Sequence, residues 1–216
     1  YFPVNPVDEA QKKTLDSYSA RRNVFRVLTV PPTKYLMIDG HGDPNTAPEY
    51  ADAVSTLFPV AYRLKFISKN DLERDYVVPP LEALWWAPDM AAFTTRRDKS
   101  NWLWTVMIMA PDWIDHTMFE HAVGVDASEI RSDQRAGMRL DTLDEGLCVQ
   151  TLHIGSYDDE AAVLDEMHHH YIPQAGLTMT GRHHEVYLSD PRRVEPAKLR
   201  TILRQPVRYS ADEASL

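Results

Sequence analysis

The chain has 216 residues, 44% hydrophobic and 25% charged, a globular composition that argues against disorder and supplies enough apolar surface for one good core or two small halves. With 32 acidic residues against 23 lysines and arginines, the formal charge of -9 repels phosphate backbones and disfavours direct nucleic-acid binding. The single cysteine, Cys148 in the apolar run Leu147-Cys148-Val149, reads as a small buried hydrophobe of a reduced, cytoplasmic protein, while no apolar run approaches a membrane span and residues 1–30 lack a signal peptide's apolar core.

Residues 1–30 read as an N-terminal appendage. The opening Tyr1-Phe2-Pro3-Val4-Asn5-Pro6 has the character of a tail, and Leu15, Tyr18, Val24, Val27 and Leu28 then form a short amphipathic pattern that stops at Pro31-Pro32. That pattern is too short for a winged or helix-turn-helix DNA-binding domain. Tyr35 to Asp39 predict a strand, Gly40 to Asn45 a turn, and Tyr50, Val54, Leu57, Phe58 and Ala61 recur at helical spacing. Leu84-Trp85-Trp86 and Trp102 to Met109 are rich in strand formers. Residues 111–145 read as a polar helical crossover opened by Pro111-Asp112, with Phe119, Val123, Ile130 and Leu140 as sparse apolar contacts.

The order then repeats. Cys148 to Ile154 predict a strand, Gly155-Ser156 a turn, and Asp158 or Asp159 the cap of a helix running to about Tyr171. His183 to Leu188 and about Ile202 to Tyr209 supply two last strands. Leu57-Phe58-Pro59-Val60-Ala61 lies over Tyr171-Ile172-Pro173-Gln174-Ala175, which places a proline at the close of each helix. The expectation is an α+β fold of tandem duplicated βαββ units, about 31–110 and 146–210, with pseudo-twofold symmetry and a central ligand groove.

In the strand His183-His184-Glu185-Val186-Tyr187-Leu188, the period of two puts His183, Glu185 and Tyr187 on one face. Val186 and Leu188 occupy the other and need a core of helices, so Glu185 is expected to face away from those helices, into the groove. A carboxylate in a partly dry cleft serves as a general base or as a counter-charge for a cation. Trp85, Trp86, Trp102 and Trp104 are four of five tryptophans, gathered in two strands. Trp102 and Trp104 share a face while Trp85 and Trp86 point oppositely, an aromatic wall suited to a planar ligand. His183, Met107 and Tyr157 complete the candidate ligand contacts.

No metal or cofactor is expected. The triplet His168-His169-His170 splays around a helix, and His184-Glu185 lacks the later histidine of a zinc-protease motif. Ser156 and Ser189 lack a nucleophile-elbow setting, and no phosphate-cradling glycine loop occurs.

Four segments carry a resemblance: Pro32 to Gly40, Val78 to Trp86, Glu145 to Gln150, and His183 to Arg193. Together they resemble the stand-alone branch of the GyrI-like small-molecule-binding domain family, over about residues 20–209, so that 31–216 would form the ligand-binding domain. The resemblance implies a tandem βαββ fold with a central pocket. In members fused to DNA-binding domains, a buried Glu in a Glu-x-aromatic strand meets the drug, and Glu185-Val186-Tyr187 matches that pattern. Some stand-alone members are implied to be hydrolases that open the cyclopropane of DNA-alkylating natural products by water addition and so protect the cell. On that reading Glu185 activates water and Tyr187 positions the water or Glu185, or donates to the carbonyl that becomes phenolate. Two other readings stand beside it: a non-catalytic protein sequestering planar or cationic compounds, with Glu185 as counter-charge and the tryptophans in cation–π contact, and a gyrase-modulating protein. The expected partner is a planar aromatic small molecule, with neither nucleic acid nor membrane; the oligomeric state is open.

Overall fold

The computed structural model describes residues 16–88, 99–124 and 137–211. Leu15, Ile130 and the opening Tyr1-Phe2-Pro3-Val4-Asn5-Pro6 lie outside the described residues. In chain order the main elements are β1 (Arg26–Val30), β2 (Thr33–His41), α1 (Pro48–Asp71), β3 (Leu81–Trp86), β4 (Leu103–Met109), α2 (His116–Gly124), β5 (Met138–Leu143) and β6 (Gly146–Ile154). Then come α3 (Glu160–Asp165), which continues through a π-helical stretch (Glu166–Tyr171) into a last turn (Ile172–Gln174), and β7 (Leu177–Met179), β8 (His183–Tyr187) and β9 (Arg200–Tyr209). The fold is α+β. Among the described residues no helix is long and apolar enough to cross a membrane.

The chain folds as two compact units. One, here the aromatic unit, comprises Thr33–Leu143 and Arg182–Tyr187. Its strands run β8-β3-β4-β2-β5, each antiparallel to the next. α1 forms because Ala53, Leu57, Val60, Ala61 and Leu64 fall on one stripe at helical spacing, and that stripe packs on Leu36, Ile38, Ala83, Val106 and Ile108. Pro48 opens the helix where its missing N–H costs nothing. At the other end Leu72 N–H and Arg74 N–H both donate to the Ser68 carbonyl, and Trp113 Nε1 donates to Ser68 Oγ. The opposite sheet face carries Tyr35, Met37, Leu84 and Met107, all buried, with Trp86, Met109 and Leu143 beside them.

The second, here the terminal unit, comprises residues up to Pro32, Asp144–Gly181 and the chain from Leu188 onward. β6 pairs with β1 and β9, and β7 pairs with β9. Met167 and Ile172, from the helical stretch, pack on Val149, Leu203 and Val207. Arg204 and Gln150, one residue off Leu203 and Val149, point to the other face. There Arg204 donates to Gln150 Oε1 at 3.0 Å, to Glu145 Oε2 at 3.1 Å and to the Ser17 carbonyl at 2.8 Å, which ties residues 16–22 to the sheet.

Several expectations are revised. Residues 26–30, read within an appendage, form β1, because the β-branched Val27, Thr29 and Val30 find a ladder on β6. Residues 138–143, read within a helical crossover, form β5, where the alternation of buried Met138 and Leu140 with more exposed neighbours is a strand's period. Pro59 lies in the middle of α1 rather than at its close, its lost bond to the Ser55 carbonyl outweighed by the buried stripe on either side. Asp159 makes no capping bond to the helix, since its carboxylate accepts from Ser156 Oγ at 2.7 Å instead. β8 belongs to the aromatic unit, paired with β3, although the sequence order groups it with β6 and β9.

Candidate functional site

The antiparallel register sets Ala83 opposite Glu185 and Trp85 opposite His183, and on the other side of β3 sets Trp85 opposite Trp104. Directly opposed residues share a face. Glu185, His183, Tyr187, Trp85 and Trp104 therefore all lie on the face that carries α1, and Trp102 packs in the same cluster. This corrects the expectation that Glu185 would face away from the helices. Both faces of this sheet are buried, so one aliphatic residue on β8 does not mark the helical side, and the carboxylate is tolerated there because it is hydrogen-bonded.

Those bonds form a short chain. Trp85 Nε1 donates to the Tyr187 hydroxyl at 3.0 Å, and that hydroxyl donates to Glu185 Oε2 at 2.6 Å. His183 Nε2 stands 3.0 Å from Glu185 Oε1, and toward an ionised carboxylate it donates. Glu185 is 8% exposed and His183 4%. Each carboxylate oxygen thus takes one of these bonds, Oε1 facing the imidazole and Oε2 the phenol. The group is oriented from two sides and still able to accept a proton.

Around it stands the aromatic cluster. Tyr50, from the first turn of α1, stacks on Trp85 with ring centroids 5.7 Å apart and planes 24° from parallel, and meets Trp104 edge-on at 5.2 Å. Trp85 and Trp102 form a second edge contact at 5.6 Å. Gly40 lies beneath the six-membered ring of Trp104, which could not sit there over any larger residue. Trp104 is 1% exposed, and its indole N–H finds no hydrogen-bond acceptor among the described residues. Lys99 places its ammonium 5.7 Å from the Trp102 ring centroid.

The remaining candidates lie elsewhere. Trp86 and Met107 occupy the opposite face with Leu84 and Tyr35, and the Arg182 guanidinium covers the Trp86 ring at 3.6 Å. Tyr157 is in the terminal unit, in a short turn before α3. Sequence reasoning missed Tyr50, taken only as a helix residue, and Gly40, taken only as a turn former. For Gly40 a signal existed, a glycine inside a strand pattern, which marks close approach of another group. The histidines do not converge: His169 pairs with Asp165, and His153 Nε2 meets the Ser156 carbonyl. Among the described residues no three His, Cys, Asp or Glu come together as a metal site.

Comparison with known proteins places this geometry in a family. Residues 24–208 match the model of the GyrI-like small molecule binding domain. A structure described as an uncharacterized conserved protein from Listeria innocua shares 35% identity and superposes with a TM-score of 0.81, covering 92% of this chain and 98% of that one. Another, described as a hydrolase from Listeria innocua, is also 35% identical, with a TM-score of 0.77 over 91% of this chain and 98% of that one. The C-terminal domain of EcmrR shares the fold alone, with a TM-score of 0.51 at 11% identity over 86% of this chain and 98% of that one. No curated protein matches the chain. The chain belongs to the GyrI-like small-molecule-binding domain family.

Proposed function

We propose that this protein is a hydrolase that opens the cyclopropane ring of DNA-alkylating natural products by adding water, and that it protects the cell making or meeting them. The observation that carries the reading is the Glu185 carboxylate, buried on an aromatic face and oriented by Tyr187 and His183. A relative at 35% identity is described as a hydrolase, which favours turnover over simple binding. The duplicated halves, about 31–110 and 146–210 joined by 111–145, with pseudo-twofold symmetry around a central groove, are part of the same proposal. The repeated order of strand, helix and strand in β2-α1-β3 and β6-α3-β7 supports them.

In the proposed reaction the water oxygen attacks the strained ring carbon, and the breaking carbon–carbon bond delivers its electron pair into the conjugated ring, whose carbonyl becomes phenolate. Glu185 takes the water's proton and returns a proton to the phenolate, so one water is added and nothing else is consumed. Tyr187, hydrogen-bonded to Glu185 and to Trp85, holds the base in line. The tryptophan faces suit a long flat substrate, each offset stack worth roughly 0.5–1.5 kcal/mol beyond area burial. A positioned base contributes roughly 10²–10⁴-fold, enough for a substrate already electrophilic.

The test is incubation with a molar excess of a cyclopropane-bearing alkylator, followed by mass spectrometry. Conversion of the whole excess to the water adduct is expected. A signal that saturates at one equivalent of unchanged compound overturns the hydrolase reading in favour of a sequestering protein, the role that the family's description as small-molecule binding also suits.

A further inference from the structure

Glu82 and His184 lie on the sheet face opposite Glu185 and take no part in the proposed reaction. Glu82 Oε2 stands 2.7 Å from His184 Nε2, and both side chains are fully enclosed. Two titratable groups in a dry interior are costly to bury, and fixing a unique register is the best-attested use of such a pair.

β8 needs a register device. It is five residues long and pairs with β3 from Glu82↔Val186 to Trp85↔His183. In a half-exposed strand the alternation of polar and apolar residues sets the register, but here His183, His184, Glu185 and Val186 are all buried. A slip of one residue would turn Glu185 and Tyr187 onto the face of Leu84 and Met107, and bring His184 and Val186 onto the face of Trp85. The same slip carries His184 away from Glu82 and leaves a carboxylate enclosed without that partner. The bond is diagonal, since Glu82 opposes Val186 while His184 opposes Leu84, so it closes in the observed register and not in either neighbouring one.

We propose that Glu82 and His184 are positioning residues: their bond fixes the register of β8 on β3 and thereby holds Glu185 and Tyr187 on the aromatic face beside Trp85. The register claim stands on geometry alone; its consequence for turnover rests on the proposed hydrolase reading.

The experiment compares Glu82→His, His184→Glu and the double exchange, reading register by cross-strand nuclear Overhauser contacts between Ala83 and Glu185 and turnover of a cyclopropane substrate as kcat and KM separately. Each single change should abolish the Ala83–Glu185 contact and lower kcat by roughly the 10²–10⁴ of losing the base, with KM moved far less. The exchanged pair should restore the contact and most of kcat. Equal loss in the single and double variants, or a native Ala83–Glu185 contact in both single variants, overturns the proposal. Restored contact in a protein inactive before and after the change leaves the register assignment standing and counts against the hydrolase reading instead.

Discussion

Glu145 in the terminal unit and Glu185 in the aromatic unit both have largely enclosed side chains, and the two are held in opposite ways. In the terminal unit Glu145 meets the Arg204 guanidinium, and the two side chains are 3% and 1% exposed. Arginine is charged at every working pH, and Arg204 is itself fully engaged by Gln150 and the Ser17 carbonyl, so Glu145 serves as its counter-ion and strut. In the aromatic unit Glu185 has a phenol and an imidazole for partners. Neither of these two carries a permanent charge, so their bonds orient the carboxylate in a way that a guanidinium's ion pair does not. A buried carboxylate is therefore a candidate base according to what holds it, and burial alone does not distinguish the two.

The largest expected effect tests that contrast directly. Glu185→Gln preserves shape and can keep bonds to Tyr187 and His183, but it cannot accept a proton. Turnover should fall by roughly 10²–10⁴-fold while urea denaturation shows little change. The converse is Arg204→Met, which removes the guanidinium beside the enclosed Glu145 and should cost about 3–5 kcal/mol of stability, with turnover of the folded fraction unchanged. Were Glu185→Gln to turn over substrate at the wild-type rate while losing stability, Glu185 would be a strut like Glu145.

The sequence made some of this legible and hid the rest for physical reasons. The period of two in His183-His184-Glu185-Val186-Tyr187 correctly put His183, Glu185 and Tyr187 together, because side-chain alternation is local and survives any packing. Which face of the sheet they share was not legible, since it depends on what covers each side. The helix over Tyr50 to Ala61 was visible in its apolar stripe, yet its full length was not, because Pro59 reads as a stop when propensity is judged without the burial that overrides it. β1 and β5 were hidden as edge partners whose own patterns are weak and whose ladders come from distant strands. Glu82 and His184 are separated by 102 positions, and no local pattern signals their meeting.

A middle-sized effect separates packing from chemistry at the aromatic face. Gly40→Ala would put a methyl group into the Trp104 ring, so either the indole or strand β2 must move. Overpacking of this kind costs about 1–3 kcal/mol. Since Trp104 abuts Tyr50, which stacks on Trp85, the displacement should also change tryptophan fluorescence and weaken binding of every planar ligand, charged or neutral. Unchanged fluorescence and unchanged affinity would mean that Trp104 is core and not part of a ligand-facing wall.

The smallest effect returns to the surroundings of the terminal strut. Burial pushes the Cys148 thiol up to about 12 from 9.0, with Glu145 adding to the shift and Arg204 opposing it. In the aromatic unit burial alone pushes Tyr76 up to about 12 from 10.0. An unfolded chain loses the thiol proton near 9.0 while the folded chain keeps it to about 12, so between those values deprotonation favours the unfolded state. This contribution is fully present below 9.0 and is lost as pH rises toward about 12; Tyr76 adds to the loss only above 10.0. The expected slope is about 1.4 kcal/mol per pH unit for each group. Urea denaturation of the wild type and of Cys148→Val, at about pH 8 and about pH 10, should therefore show the variant gaining on the wild type by on the order of 1 kcal/mol at the higher pH. Tyr76→Phe should gain on the wild type only beyond that, which distinguishes the two groups. If wild type and Cys148→Val run parallel across this range, the thiol is not held protonated by burial, and the environment of Glu145 and Arg204 is wetter than their 3% and 1% exposures imply.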